Sequence, residues 1–419
     1  MRGVEDEGEM PGVEAHQLAA QLMFWGALAV LCYTYFGYPA LLGVAALVRR
    51  TPEPHPLRPP RARRGGGEGP GGPAGRTGPS VTVVVAAWNE AGTIADKIEN
   101  TLGQSYPAEL LEMVVVSDGS TDGTDEIVQR YAASTGRVRL LRTGGQQGKS
   151  LALNLGVPEA RGEIVVLTDA NATFAPDAVE RLVGRFADPR VGAVSGELKY
   201  RTSGGLDEGE GAYWRYEQRV KLLESAGRRL FGANGSIYAI RKELFRPLHP
   251  VDVNDLRIPY EALLRGYAVV LEPAAVSYER PAPSLWGEYR RKVRIMSRAI
   301  PTILRMAVPA IARGRIVLLW QLVSHKLLRE IQAIFFAGML VGAGWGAMLG
   351  DRVLSVMFAG QLALYLGGAL AWAYPGIRPR VLGLAAHFDM IVLASYAALG
   401  LWLTGRVRAT WQPARSAQG

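Results

Sequence analysis

Val81-Thr82-Val83-Val84-Val85-Ala86-Ala87-Trp88-Asn89-Glu90 decides the fold. An unbroken β-branched run of this length is short for a helix and suits a strand buried on both faces of a parallel sheet. It stops abruptly at polar residues, so its carboxyl end is a surface with chemistry on it. Three similar runs follow: Val114-Val115-Val116, Val138-Arg139-Leu140-Leu141 and Ile164-Val165-Val166-Leu167. The segments between them, over 91–103, 122–133 and 176–186, have the length and polarity of crossover helices. The pattern predicts a doubly wound α/β sheet over 81–280, with ligands bound beyond the carboxyl ends of its strands.

Outward from this unit the composition changes. The 419 residues carry 47 Lys+Arg against 38 Asp+Glu, formally +9, and 48% are hydrophobic, which is apolar for an ordinary soluble chain. No charge interrupts residues 17–48, and about 20 apolar residues cross a bilayer as a helix. Acidic residues precede this stretch over 1–16 and no small-residue cleavage site follows, so it reads as an uncleaved anchor, broken near Gly37 and Pro39. Arginines from Arg49 to Arg64 then place the next domain in the cytoplasm of a plasma membrane. Residues 51–80, with eight prolines and eight glycines, read as a disordered tether. The basic surplus lies in this linker and beside apolar segments, which points to membrane lipids and away from nucleic acid. Cys32, the one cysteine, excludes a disulfide framework within one chain.

Beyond 280, segment 281–330 reads as basic amphipathic helices in the membrane interface. Three apolar stretches, 331–350, 353–377 and 381–405, are each long enough to span, and a tail follows over 406–419. One anchor plus three spans would put Arg406, Arg408 and Arg415 outside, against the charge rule, so the parity stays open. Asp389, in the last stretch, is costly in lipid; His387 or His325 could pair with it.

The polar residues at the strand ends carry the chemistry. Ala87, Asn89 and Glu90 end the first strand, and Ser117-Asp118-Gly119-Ser120-Thr121 ends the second. A buried carboxylate there can accept from a nucleobase N–H, with glycine admitting ribose or phosphate; alternatively Asp118 and Thr121 cap the next helix. Thr168-Asp169-Ala170-Asn171 ends another strand, where a carboxylate can hold a divalent cation on a diphosphate or simply cap a turn. Gly148-Lys149 is no triphosphate loop, because the required first glycine falls at Thr143. Lys149 still opens a helix beside the strand edge, where it can reach phosphate.

Together these residues resemble the inverting family-2 glycosyltransferases of GT-A fold, in their membrane-embedded, synthase-like branch, from about Val81 to Arg298. The resemblance implies a mixed, mainly parallel sheet, a nucleotide-sugar donor and a Mg2+ or Mn2+ cofactor. It makes Asp118 the base-binding aspartate and matches Gly148-Lys149 with Asn154 and Gly156 to the family's GK…NxG segment. Asp169 takes the first position of the metal-binding DxD, and Asn171 replaces the second. Asp255 in Asn254-Asp255-Leu256 matches the catalytic base, with Gly266-Tyr267 eleven and twelve residues on; Asp252 is its local rival. Asn234 and Gly235, in Phe231-Gly232-Ala233-Asn234-Gly235-Ser236, resemble the segment beneath donor sugar and acceptor. Arg291 and Arg294 fall where processive members carry QxxRW, of which only the Arg294 position is kept.

The implied reaction is inverting transfer from a nucleotide sugar, with a UDP-sugar as the expected donor, to a saccharide acceptor in cell-surface or extracellular polysaccharide synthesis. A single transfer to a lipid-linked acceptor is the alternative, and a non-catalytic nucleotide-sugar-binding membrane protein is a third.

Overall fold

The computed structural model describes residues 11–49, 78–201, 208–280, 284–374 and 380–410. The tether expected over 51–80 lies outside the described residues except for 78–80, as do the first ten residues and 411–419.

The chain opens with α1 (Pro11–Cys32), a π-helical turn (Tyr33–Gly37) and α2 (Tyr38–Arg49). The α/β domain then runs β1 (Val81–Ala87), α3 (Ile94–Leu102), β2 (Leu111–Ser117), α4 (Thr124–Thr135), β3 (Val138–Arg142), α5 (Lys149–Glu159) and β4 (Ile164–Asp169). It continues through β5 (Thr173–Phe174), α6 (Ala178–Gly184), β6 (Val191–Tyr200), α7 (Glu208–Ala226), β7 (Tyr238–Arg241), α8 (Asn254–Leu264) and β8 (Ala268–Glu279).

The eight strands form one sheet in the order β3-β2-β1-β4-β7-β6-β8-β5. Strands β3, β2, β1 and β4 are parallel, β7 is antiparallel to both its neighbours, and β5 is antiparallel to β8. The sheet is therefore mixed and mainly parallel. Side-chain alternation along β1 divides the core. Val84 and Ala86 face α5 and α8, whereas Val83 and Val85 face α3 and α6. The first connections place β2 on one side of β1 and β4 on the other, so β1 marks the switch point. Register does the rest: Ala87 pairs with Ser117 and Ala86 with Asp169, which brings three motif ends to one edge.

After β8 comes α9 (Leu285–Ala312), one helix of 28 residues. Ala299, Ile303, Met306 and Ala310, at helical spacing, belong to the same core as Tyr260 and Leu264 of α8. The helix thus closes the α/β domain, a role its basic composition did not announce. Ile295, Leu304, Val308 and Ile311 stay exposed on its other side. The chain then passes through α10 (Ile316–Gln321), a second π-helical turn (Leu322–Leu327), α11 (Leu328–Glu330), α12 (Gln332–Met348), α13 (Arg352–Ala373) and α14 (Arg380–Leu403).

Among the described residues four helical stretches are long and apolar enough to cross a membrane: Val13–Val48, Leu285–Ala312, Arg352–Ala373 and Leu382–Leu403. The pair Ile316–Glu330 and Gln332–Met348, bent by 61°, makes a fifth candidate. The chain is a membrane protein. Close packing of α1 on α12 requires Gly342, where a Cβ would lie 2.8 Å from the Phe24 amide nitrogen. Asp389 packs against Gly368 of α13, and His325 pairs with Glu224, so the expected Asp389–His325 pairing does not form.

Candidate active site

The loops after β1 and β2 clasp each other. Asn89 sits at φ 53°, a left-handed conformation that asparagine tolerates. Its side-chain oxygen accepts from Thr121 N at 2.8 Å, while its own amide donates to Ser120 Oγ at 3.1 Å. The buried Glu90 accepts from Thr93 Oγ1 at 2.6 Å, and its amide donates to Thr124 Oγ1. The helix-capping alternative for Asp118 and Thr121 is not what forms; Asp122 instead accepts from the Thr124 amide and hydroxyl.

Asp118 is fully buried and grips the following loop. One oxygen accepts from Thr143 Oγ1 (3.0 Å) and Gln147 N (2.9 Å), the other from Gly148 N (2.7 Å). Gly119 is obligatory here: it has φ 75°, and a Cβ would meet Gln146 N at 2.8 Å. Asn154 exchanges two hydrogen bonds with the main chain of Leu248, and Gly156 lets α5 touch Val84 and Val116. The GK…NxG pattern therefore sets the angle of α5, whose first residue delivers Lys149 to the edge. Lys149 Nζ lies 2.5 Å from Asp169 Oδ1. Asn171 is exposed beside it.

Asp255 lies in the first turn of α8, and its main-chain oxygen accepts from Ala233 N at 2.7 Å. Its carboxylate lies over Gly235, where a Cβ would be 3.1 Å from Oδ2. It makes no ion pair among the described residues. Burial pushes its carboxyl up; Lys149 opposes this and Asp169 adds to it. The rival Asp252 is differently placed, with Arg305 at 2.6 Å, Arg257 at 3.9 Å and the His249 amide at 2.9 Å all on its carboxylate. Asn234 is buried, held by Ser195 Oγ and the Lys221 ammonium. Arg291 forks onto Glu288 at 2.6 and 2.7 Å, and Arg294 lies within electrostatic range of Asp169.

Three residues escaped the sequence reading. Lys97, buried in α3, donates to Thr168 Oγ1 (3.0 Å) and Ala172 O (2.8 Å), so its ammonium underlies the turn carrying Asp169 and Asn171. Burial pushes it down to about 7, against the pull of Asp169 and Glu279. Its signal was available: it lies on the stripe Ile94, Lys97, Ile98, Thr101, where a lysine is out of place. Glu279 ends β8, its carboxyl raised to about 7 by burial and then by Asp169. Arg298 of α9 donates to Asp252 O at 2.7 Å and Ser150 Oγ at 3.3 Å, tying α5 to the approach to α8.

No group of three or more His, Cys, Asp or Glu residues among those described could hold a metal unaided. Asp169 and Asn171 offer two oxygens on one turn, a donor set suited to a hard cation that takes its remaining ligands from phosphate and water.

Comparison with known proteins agrees with this architecture. The family Glycosyl transferase family 2 matches residues 82–247. Poly-beta-1,6-N-acetyl-D-glucosamine synthase of Staphylococcus aureus (strain MSSA476) is 27% identical over 224 residues, 51% of this chain and 53% of that protein. Probable glycosyltransferase YdaM of Bacillus subtilis (strain 168) is 29% identical over 230 residues, with the same coverage of each chain. The match spans about half the length of these curated relatives. Among solved structures, a Pyrobaculum calidifontis mannosyltransferase in complex with GDP-Man and Mn2+ superposes with TM-score 0.64 at 23% identity. That superposition covers 94% of this chain and 99% of the other, and identifies the GT-A-type fold.

Proposed function

We propose that residues 82–247, a family 2 glycosyltransferase domain, make this membrane protein an inverting transferase that moves a sugar from a nucleotide-sugar donor to a saccharide acceptor. The observation that carries this reading is the meeting of Asp118, Lys149 and Asp169 at one sheet edge, with Asp255 in the first turn of α8 within electrostatic range of Lys149 and Asp169. Asp118 and the Asn89–Glu90 loop bind the nucleoside. Lys149 and Arg294 lie against the diphosphate and oppose the charge that grows on it as the glycosidic bond breaks. Asp169 and Asn171 would hold a divalent cation beside the diphosphate, and that cation would supply further Lewis-acid stabilisation of the leaving group. Asp255 takes the proton from the acceptor hydroxyl as that oxygen attacks the anomeric carbon, so inversion follows in one displacement. The missing tryptophan at Ile295 favours short products or a lipid-linked acceptor over long processive chains.

The contacts also support a topology. Gln21 of α1 bonds Asp351 at the turn between α12 and α13, while Tyr35 and Tyr38 at the other end touch Gln332 and Glu224. Residues 13–48, α12 and α13 thus span, with the amino terminus outside. Along α14, Ser395 donates to Glu330 O and Ala394 and Ala398 pack on Met296 of α9. This helix stays on the domain side with α9, and Arg406 and Arg408 lie in the cytoplasm with the catalytic domain.

The test is release of nucleoside diphosphate from UDP-glucose, UDP-N-acetylglucosamine and GDP-mannose by the protein in nanodiscs with Mn2+ or Mg2+, beside Asp255→Ala. Release from one donor, lost in the variant, supports the transferase. Nucleotide binding without release from any donor rejects it in favour of a non-catalytic binder.

A further inference from the structure

Glu224 is a buried carboxylate outside the motifs, and it accepts three hydrogen bonds from three different parts of the chain. Tyr38 OH donates to Oε1 at 2.5 Å from the start of α2. His325 Nδ1 lies 2.7 Å from the same oxygen. Phe231 N donates to Oε2 at 2.9 Å, from the first residue of the loop that seats Asp255. Neighbouring groups on α7 repeat the arrangement. Glu217, Lys221 and Glu224 share one face of α7 at i, i+4 and i+7 spacing. Glu217 pairs with Arg329 at 2.8 Å and faces His325 Nε2 at 3.4 Å, while Lys221 holds the Asn234 side chain.

Both membrane partners are delivered by irregular backbone. Tyr38 follows the π-helical turn Tyr33–Gly37, and His325 and Lys326 lie in the π-helical turn Leu322–Leu327. The two turns are bonded to each other, Tyr33 OH to Ser324 Oγ at 2.7 Å, with Trp320 Nε1 donating to the same hydroxyl at 2.8 Å. Single π turns cost regular helix hydrogen bonding and recur at functional positions. Here each turns a polar side chain inward to one carboxylate. Lys326 Nζ comes within 3.7 Å of where a Cβ on Gly232 would stand, so the second turn also reaches the loop directly. Burial raises the Glu224 carboxyl, but His325, Lys326 and the Tyr38 hydroxyl outweigh it and keep the group ionised as an acceptor.

We infer that Glu224 is a positioning residue for transfer: with Tyr38 and His325 it locks loop 231–236, and hence the acceptor side of Asp255, to the membrane helices. The inference rests on the transferase reading above. It makes turnover depend on the geometry of the membrane segment while leaving the nucleotide pocket, built from other loops, untouched.

The experiment uses the full chain in nanodiscs as wild type, Tyr38→Phe, His325→Gln and Glu224→Gln. It measures UDP and GDP affinity, nucleoside diphosphate release from whichever of the three donors the wild type consumes, and hydrogen exchange of amides 230–236. Tyr38→Phe removes one hydroxyl and tests the lock with minimal disturbance of packing. Loss of one bond to a charged acceptor should lower kcat about tenfold, with donor KM and nucleotide affinity within about twofold, and should deprotect the Phe231 amide. Unchanged kcat and unchanged exchange in all three variants overturn the inference. So does a fall in nucleotide affinity parallel to kcat, which marks general destabilisation. A wild type that consumes no donor defeats the transferase reading, and the exchange arm alone then decides whether Glu224 anchors the loop.

Discussion

The main-chain oxygen of Ala409 lies where Gly148 leaves room for it: a Cβ on Gly148 would be 2.5 Å away. The segment after α14 therefore rests on the loop that Asp118 grips, beside the sheet edge that carries Lys149 and Asp169. Gly148 also has φ 100°, which no other residue adopts without strain. Gly148→Ala should lower UDP or GDP affinity about tenfold by isothermal titration, since the strain and the contact act on one loop. In a Cys32→Ser background, Arg408→Cys and Glu109→Cys should react with an impermeant maleimide in the same vesicle orientation. Labelling from opposite faces would reject the topology.

Asp255→Asn and Asp252→Asn should separate chemistry from stability. The first should lower turnover at least a hundredfold while nucleotide affinity stays near wild type, as loss of a general base does. The second removes the partner of Arg305, itself 35% exposed, and should cost about 2 kcal/mol after discounting for solvent. Its thermal midpoint should fall while turnover per folded molecule is kept. The reverse pattern would exchange their roles.

The pH profile should carry the mark of Asp255. Its carboxyl is raised by burial, and a base acts only when unprotonated, so turnover should climb with pH through a midpoint above the ordinary carboxylate range. Lys149 holds that value down, so Lys149→Met should move the midpoint higher still. A midpoint that stays put in Lys149→Met would show that another group limits the rate.

Asn171→Asp should tighten Mn2+ binding in the presence of nucleoside diphosphate about tenfold, measured by electron paramagnetic resonance of free Mn2+, because a neutral oxygen becomes a charged one. Unaltered Mn2+ affinity would remove residue 171 from the ligand set.

Lys97 provides a stability test with a definite sign. Its folded pKa, about 7, lies below the unfolded 10.5, so the folded state favours the neutral amine. The contribution to stability is present above the unfolded value and is lost as pH falls towards 7. Lys97→Met should therefore gain on the wild type in thermal midpoint as pH is lowered from 9.5 to 7. A constant difference would mean that the ammonium is solvated in the fold.

What the sequence determined by itself was local. Strand β1 was legible because seven consecutive residues are buried on both faces, a pattern that no helix or half-exposed strand needs. The strand-end motifs were legible because polar residues directly after such runs can only lie at the sheet edge. The apolar stretches were legible by length. Tertiary structure decided what depends on partners far apart in the chain. Asp252 and Asp255 differ by three positions, and only the packing of α9 gives Arg305 to the first and leaves the second over Gly235. Asp118 became a loop clasp because the fold brings three donors to it from residues 143–148. The basic helix α9 became a wall of the domain because its apolar stripe found α8. Glu224 carries no motif at all; a carboxylate becomes a hub only when folding surrounds it with donors, and its three come from positions 38, 231 and 325.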